Sequence, residues 1–432
     1  MNLDSFWGVQ LGRVALMWLM PLLLLPLMIW FERKASAFMQ DRTGPNRAAI
    51  GGVRLGGIIH TMADVLKLLT KEDIRPTSVN GFYFALAPLI AIVVSQLLFV
   101  VVPFGDAIDV GGQTISLQAL HLDIGILYPL AVGSVYVYSI VLAGWASNNK
   151  YGILGGLRAA AQVVSYEVAL GLSIVGALMV YGTTDLNEMV RYQGGLLFGF
   201  LPRWGVFMQP IGALLFLVAA FAETNRTPFD LPERDAELVA GFHIEYSAMR
   251  FASFFMAEYI HIIVASGLVV TLFFGGWQIP WLSTAALREN AGLVIDAMLG
   301  GLVVVGFGAA ALAMRWSPSL VRMFQDLRQY EGRVLATLFG GLGALGLLGL
   351  VLVHTQVGVL PDWAASAVAA SAQFTAFTAK TMLFAFGFIW VRWTLPSFRY
   401  DQLMRLGWKN MMPVALVNVA LTGIVLLAIG GR

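Results

Sequence analysis

The chain concentrates carboxyl groups in one short stretch between two apolar runs. Seven of its 25 acidic residues lie between Glu223 and Glu258, and only three arginines accompany them. Ionised carboxylates resist desolvation and repel one another, so this density beside a membrane is unfavourable. The pattern predicts proton handling or recognition of a polar partner. The seven acids are Glu223, Asp230, Glu233, Asp235, Glu237, Glu245 and Glu258.

Ionisable residues also stand inside long apolar runs, namely Glu167, Glu258 and Lys380. Glu167 lies about 12 Å into its run at a rise of ~1.5 Å per residue. A charge near mid-bilayer costs roughly 2.5–3.5 kcal/mol on insertion scales, so such side chains usually face the bundle interior and find partners. A static ion pair, for example one with Lys380, is one interpretation. A proton relay is favoured, because desolvation stabilises the protonated form of a carboxyl group.

A second set of charges follows the first apolar run. Asp64 and Lys67 are three residues apart, so a helix would place them on one face, where they can pair. An exposed pair means little, whereas a pair beside a polar cavity would matter more. Glu32, Arg33 and Arg42 lie nearer the end of the run. Their basic members could simply anchor the chain at the level of the lipid headgroups.

The middle of the acidic stretch is predicted to be irregular, because Pro228 and Pro232 frame it. Irregular backbone at membrane depth survives only when it is packed in protein or lines a wet cavity. A merely solvated loop is the alternative interpretation. The apolar side chains interleaved with the acids argue against it. They are Phe229, Leu231, Phe242 and Tyr246.

Composition places the chain in a membrane. It is 58% hydrophobic and 12% charged, with a mean hydropathy of +0.77, far from an ordinary soluble domain. The sequence has no cysteine, which excludes disulfides, Cys-ligated iron–sulfur clusters and thiol catalysis in this chain. No two of its five histidines share an apolar run, so a haem between paired histidines is not expected. His261 is most simply a packed side chain. The sequence offers no phosphate-binding glycine loop, hydrolase triad or metal-ligand cluster.

Apolar runs near the ~20 residues needed to cross a bilayer predict an all-α polytopic membrane protein with about ten transmembrane helices. The stretch 51–73 reads as an amphipathic helix along the membrane surface. Most of the 27 Lys and Arg residues fall in alternate loops. This asymmetry predicts that both termini lie outside and that the acidic loop lies in the cytoplasm. The runs are 14–31, 82–102, 126–146, 159–181, 206–222, 251–276, 293–314, 334–354, 372–393 and 412–430.

Five long strings resemble one family, the H-type membrane subunit of bacterial NADH:quinone oxidoreductase, which corresponds to subunit 1 of mitochondrial respiratory complex I. The resemblance extends from the first run to the last, apart from one region, and motifs of this length are highly specific. The strings are ERKASAFMQDRTGPNR, ADVLKLLTKEDIRP, GWASNNKYGILGGLRAAAQVVSYEVALG, FAETNRTPFDLPERDAELVAGFHIEYS and VRWTLPSFRYDQLMRLGWK.

The resemblance implies a subunit at the junction of the membrane arm and the hydrophilic arm. Such subunits form the passage for quinone and couple its reduction to proton pumping. Quinone is then the substrate and this chain binds no cofactor, while FMN and iron–sulfur clusters belong to partner subunits. By motif, the quinone passage would contain Glu32, Arg33, Arg42, Asp64 and Lys67. The proton relay would contain Glu167, Glu223, Glu245 and Glu258. The loop facing the hydrophilic arm would contain Asp230, Glu233, Asp235 and Glu237, and the closing cytoplasmic motif Arg392, Arg399 and Asp401.

Two departures from the family pattern stand out. Pro232-Glu233-Arg234-Asp235 replaces the usual Pro-Glu-Ala-Glu, which shortens one acid and adds a positive charge. The runs 293–314 and 334–354 are additional to the eight spans of the family. We therefore expect a core of 1–280 and 372–432, with a transmembrane hairpin inserted at 281–371 on its periphery. Lipid or an accessory subunit would contact that hairpin.

The expected partners are the quinone-reducing hydrophilic subunits, the small membrane subunits and the antiporter-like subunits, together with quinone and lipid. Nucleic acid is not expected. The expected location is the bacterial inner membrane. Two other functions stay open from the sequence. One is the homologous subunit of a membrane-bound hydrogenase or ferredoxin-driven complex. The other is a self-contained proton-coupled transporter, although we find no internal repeat typical of one.

Overall fold

Long apolar helices form most of this chain, because a segment in hydrocarbon must satisfy its backbone hydrogen bonds internally. The computed structural model describes residues 3–110, 113–232, 238–323, 325–356 and 361–430. Within those ranges, nine helices are long and apolar enough to cross a membrane. The chain is therefore an all-α polytopic membrane protein, as its composition predicts.

Fifteen α-helices lie within the described ranges. In chain order they are α1 Leu3–Met39, α2 Ile59–Thr70, α3 Gly81–Leu98, α4 Leu127–Ala146, α5 Lys150–Tyr181, α6 Leu186–Tyr192, α7 Gly205–Met208, α8 Pro210–Glu223, α9 Ala248–Phe273, α10 Thr284–Glu289, α11 Ala291–Met323, α12 Glu331–Gln356, α13 Asp362–Thr394, α14 Tyr400–Arg405 and α15 Met412–Gly430. A π-helical segment, Leu406–Met411, joins α14 to α15. Two small antiparallel hairpins pair β1 Gly105–Val110 with β2 Gln113–Leu117, and β3 Leu196–Leu197 with β4 Leu201–Pro202.

The fifth predicted span differs from the other nine. It forms α8, whose 14 residues rise only about 21 Å, less than the ~30 Å of a hydrocarbon core. The single turn of α7 precedes α8, and irregular backbone follows it at Glu223. An apolar run alone could not reveal this, because hydropathy records composition and not where the chain stops being helical.

Helix α9 is the centre of the bundle. Of its apolar window, 89% is buried inside the chain, compared with 11% for α11. It packs against α1, α3, α8 and α13. Charged side chains on such a helix must find their partners within the protein, because neither lipid nor water reaches them.

The predicted surface helix is present as α2, which begins at Ile59 and ends at Thr70. A short 3₁₀ turn, Leu55–Gly57, precedes it. Its apolar residues Met62, Val65 and Leu66 are exposed in this chain. That exposure fits a helix lying against lipid or a neighbouring subunit.

The two additional apolar runs form α11 and α12, which pack on each other as an antiparallel pair. Small residues permit this close approach: a Cβ placed on Gly306 would lie 2.6 Å from the nitrogen of Gly343. The pair also contacts α13, but most of its surface faces away from the rest of the chain. The division into core and inserted hairpin stays a prediction.

The close approach at Gly306 can be tested by substitution. Gly306→Ala should destabilise the helix pair by roughly 1–3 kcal/mol, because the added methyl group overlaps backbone atoms and forces the helices apart. Gly308→Ala is the matched control, since a Cβ there meets no atom within 4 Å. Thermal denaturation of the purified membrane assembly measures the effect. Equal stability of the two variants would contradict this packing.

Candidate functional site

A buried ionic cluster lies where the end of α1 meets α9 and α13. The carboxylate of Glu32 accepts a hydrogen bond from the hydroxyl of Tyr259 at 2.6 Å. It also pairs with the guanidinium of Arg392. Glu32 and Tyr259 are buried, and Arg392 is only partly exposed. The residue predicted for the quinone passage and one from the closing motif therefore meet, although 360 positions separate them in sequence.

Arg226 links this cluster to Glu258. Its guanidinium lies 3.2 Å from a carboxylate oxygen of Glu258 and 4.0 Å from one of Glu32. The same cation lies over the ring of Tyr259, 4.5 Å from its centroid. Two buried acids thus share one arginine, which offsets their mutual repulsion and their desolvation.

The segment that carries Arg226 is held in the interior by hydrogen bonds from Gln162. The side-chain amide of Gln162 donates to the carbonyls of Ala222 at 2.7 Å and Phe229 at 2.8 Å. The backbone N–H of Phe398 donates to the carbonyl of Pro228 at 2.9 Å. Phe229 and Leu231 are buried, so this stretch is packed in protein and not solvated.

A second pair of acids, Glu167 and Glu223, lies against α4. Ser134 donates its hydroxyl hydrogen to Glu167. A Cβ on the neighbouring Gly133 would lie 3.0 Å from an oxygen of Glu223. Because Gly133 and Ser134 are neighbours on α4, both carboxylates approach the same turn of that helix. Glu223 also borders a small enclosed cavity of about 20 Å³, enough for one water molecule.

His261 and Tyr136, which were not predicted as site residues, lie between the Glu258 cluster and the pair formed by Glu167 and Glu223. On α9, Glu258, His261 and Ala265 are spaced by three and four residues, so they share one face. Ala265 lines the cavity at Glu223, which places His261 between that cavity and Glu258. The buried ring of His261 packs on Tyr136, with centroids 4.1 Å apart. As expected, His261 is a packed side chain.

Sequence reasoning missed Arg226, Tyr259, Tyr136 and His261 as members of this site. A signal existed for the first two: Arg226 is the only basic residue between Glu223 and Asp230, and Tyr259 follows Glu258 directly. The helical spacing of three residues between Glu258 and His261 could have found His261. Tyr136 carries no such signal.

Glu245 and Asp64 belong to other parts of the site. The side-chain amide of Asn149 donates a hydrogen bond to Glu245 at 2.7 Å. Asn149 lies at the end of α5 that is predicted to face the cytoplasm. Asp64 pairs with Arg33 at the end of α1 and with Lys67, 3.1 Å away on its own helix. Burial by itself would raise the pKa of Asp64, but hydrogen bonds from Lys67 and Arg33 hold that pKa below its ordinary value.

Three of the remaining predicted residues are exposed on the surface of this chain. Arg42 is exposed and donates to Gln40, and Arg399 and Asp401 are exposed around the start of α14. Asp230 is half-buried, whereas Glu233, Asp235 and Glu237 lie outside the described residues.

Lys380 forms no ion pair within the described ranges. Its ammonium donates to the carbonyls of Phe274, Gly276 and Gln278 at 2.6–3.1 Å. These carbonyls follow the end of α9, where a helix leaves acceptors unsatisfied and attracts a cation. In the described part of the chain, Lys380 therefore caps the end of α9 instead of forming the ion pair considered from the sequence.

An apolar cavity of about 620 Å³ opens along the end of α1, the part of that helix that also carries Glu32. Its size is that of a small-molecule site. It lies between the end of α1, the 3₁₀ turn before α2, and α13. Lys34 is the one charged residue of its lining within the described part of the chain. The lining residues are Trp30, Phe31, Lys34, Ala35, Phe38, Met39, Gly56, Phe386 and Trp390. The described residues contain no group of three or more His, Cys, Asp or Glu side chains that could hold a metal ion.

The shared arginine of the ionic cluster gives a direct prediction. Arg226→Gln should destabilise the chain by about 3–5 kcal/mol, because it leaves Glu32 and Glu258 buried without their common cation. Arg250→Gln is the control, since Arg250 pairs with the more exposed Asp73 and its loss should cost about 1 kcal/mol or less. Thermal denaturation of the membrane assembly measures both. A loss for Arg226→Gln no larger than that of the control would contradict a shared cation.

Comparison with known proteins identifies the family of this chain. A family model described as NADH dehydrogenase matches residues 12–423. The NADH-quinone oxidoreductase subunit designated H 1 in Solibacter usitatus is 42% identical over 424 residues, which cover 98% of this chain and 97% of the relative. The subunit designated H in Bdellovibrio bacteriovorus is 39% identical, with 96% and 95% covered. The subunit designated 8 in the Rhodothermus marinus enzyme is 38% identical, with 98% and 97% covered.

The Solibacter relative has nearly the same length as this chain, which leaves room in it for helices equivalent to α11 and α12. The family model and the identities extend over nearly the whole sequence. The chain therefore belongs to the NADH dehydrogenase family, as a membrane subunit of an NADH-quinone oxidoreductase.

Proposed function

We propose that this chain forms the quinone-access passage of the complex and couples quinone reduction to proton translocation through its buried carboxylates. The observation that carries the proposal is that the apolar cavity and the Glu32 cluster share one turn of α1. Trp30 and Phe31 line the cavity, and Glu32 is the next residue of the same helix. An apolar molecule in that cavity would lie against the turn of α1 that carries Glu32.

The chemistry of quinone fits both parts of this arrangement. Quinone is apolar and enters from lipid, which a cavity lined by Trp30, Phe31 and Trp390 accommodates. Its reduction to quinol takes up electrons and protons, so its charge demand changes during the reaction. A change of charge beside a cluster that already shares one arginine between two acids shifts the protonation balance of those acids.

The second acid pair would carry the proton onward. The face of α9 leads from Glu258 past His261 to the cavity at Glu223, and Glu167 and Glu223 both approach the same turn of α4. A carboxyl pair between packed helices can accept and release a proton without a change in fold. Glu245, bound to Asn149, would join this relay from the cytoplasmic side.

The rest of the assembly follows from this assignment. The chain itself would bind quinone and no redox centre, while FMN and the terminal iron–sulfur cluster would lie in hydrophilic subunits docked on its cytoplasmic loops. Asp230 and the neighbouring acids Glu233, Asp235 and Glu237 would face those subunits. Protons would pass to antiporter-like membrane subunits. The chain would lie in a bacterial inner membrane with both termini outside, as its Lys and Arg distribution indicates.

Filling the apolar cavity tests the quinone passage. Ala35→Phe adds a ring to the cavity wall and should raise the KM for quinone about tenfold, equivalent to ~1.4 kcal/mol of binding, with little change in kcat. Leu23→Phe is the control, because Leu23 is on the same helix but exposed outside the cavity. Quinone-dependent NADH oxidation by the purified complex measures both. An unchanged KM in Ala35→Phe would refute the cavity as the route.

Removing the carboxylates tests the relay. Glu167→Gln and Glu223→Gln should each lower proton translocation by about a hundredfold, because neither amide can accept and release a proton. Glu188→Gln is the control, since Glu188 is an exposed acid hydrogen-bonded to Thr183. Proton uptake and quinone reduction are measured together in proteoliposomes. Wild-type translocation in both relay variants would show that the assignment is wrong.

A further inference from the structure

The turn before α2 is held in an unusual conformation. Leu55, Gly56 and Gly57 all have positive φ, at 47°, 64° and 96°. Such values suit glycine, but Leu55 has a Cβ and is strained there. A conformation of this kind persists only when surrounding contacts fix it. The residue before it, Arg54, provides that contact.

Arg54 is tied to the helix pair α11–α12. Its backbone N–H donates to one oxygen of Glu331 at 2.8 Å, and its Nε donates to the other oxygen at 2.6 Å. Both side chains are almost completely buried, at 1% and 0% exposure. A carboxylate that binds both the main chain and the side chain of one residue fixes that residue in position and direction.

Further contacts surround this ion pair. The guanidinium of Arg54 lies 5.7 Å from the ring centroid of Trp316 on α11. A Cβ on Gly52 would lie 2.6 Å from the backbone of Leu327, in the connection between α11 and α12. Leu55 lines a groove along α12 together with Leu335 and Leu338. Residues 52–55 therefore contact α11, α12 and the connection between them.

The same turn forms part of the wall of the apolar cavity. Trp30 donates its indole hydrogen to the carbonyl of Gly56 at 3.1 Å, and both residues line the cavity. Gly57 packs against the carbonyl of Pro45 and the side chain of Lys34, which also lines the cavity. A shift of Arg54 would therefore move the cavity wall directly.

We propose that the α11–α12 pair acts as a clamp: Glu331 holds Arg54, and Arg54 sets the position of the Leu55–Gly57 turn at the mouth of the quinone passage. The inference rests on the proposed function, because it concerns the same cavity. It assigns a positioning role to the additional helices. Arg54 and Glu331 touch no substrate themselves.

A buried ion pair adds little to stability, because its desolvation offsets its attraction, and its best attested use is to fix one arrangement against others. The helix pair does not need it for its own packing, since Gly306 and Gly343 already bring α11 and α12 together. The element that depends on the ion pair of Arg54 and Glu331 is the strained Leu55–Gly57 turn. A role in positioning the turn accounts for both observations.

The test uses the purified complex and two quinones, one with a short tail and one with a long isoprenoid tail. Glu331→Gln should raise the KM for the long-tailed quinone roughly tenfold with little change in kcat, because entry past the mouth is impaired while the reaction is not. Hydrogen exchange of the amides of residues 54–57 should become faster. Glu331→Asp, which keeps the charge, should restore most of both properties.

Asp296→Asn is the matched control, because Asp296 and His354 join α11 and α12 at their opposite ends. Should Glu331→Gln fail to assemble, the double variant Arg54→Met with Glu331→Leu replaces the pair by apolar side chains of similar size, which cores often tolerate. It should assemble and show the same rise in KM.

The proposal is overturned if either variant assembles with the KM and exchange rates of Asp296→Asn while Ala35→Phe still raises KM. That result would leave the quinone passage standing and remove only the clamp. An Ala35→Phe variant with unchanged KM would instead remove the passage, and the clamp with it.

Discussion

Arg226, shared between Glu32 and Glu258, holds together the elements around the candidate site. It joins α1, α9 and the irregular segment after α8, and Arg392 adds α13. Charges this deep in a membrane protein are tolerated only when they compensate one another. The cluster consequently fixes the relative positions of the helices around it, and the apolar cavity lies where that arrangement leaves space. Removing a single charge would affect architecture and chemistry together.

A graded polarity along α9 connects this cluster to the second acid pair. Glu258 has an arginine partner, His261 packs on an aromatic ring, and Ala265 and Leu268 line a small cavity at Glu223. Along α9, the surroundings of these residues change from charged to apolar within about three turns of helix. In the proposed relay, groups in such contrasting surroundings would hold their protons with different strength, which would give the relay a direction. The proposed coupling would then need no large movement of helices.

The helices α11 and α12 add a different kind of constraint. They bury little surface against the bundle, yet the side chain of Glu331, the first residue of α12, is fully enclosed with Arg54. A peripheral element that reaches the mouth of a cavity can influence which molecules enter it without taking part in the reaction. Relatives of nearly the same length leave room for the same helices, so this influence need not be peculiar to one chain.

The helical membrane architecture could be predicted without a structure, because the length and composition of the apolar runs follow directly from the residues. Glu167 and Glu258 stood out in the same way, since an acid inside an apolar run is costly wherever it lies. Glu223 stood out through the density of acids that follow it, and Glu32 through the family resemblance. The partners of these acids came from the fold alone. Arg392 reaches Glu32 from 360 positions away, and Lys380 binds the end of α9 and no acid within the described ranges. The fifth run ends as a short helix, and a hydrogen bond from Gln162 to the carbonyl of Phe229 stabilises the irregular backbone after it. Such pairings depend on which helices are neighbours, and hydropathy contains no information about neighbours.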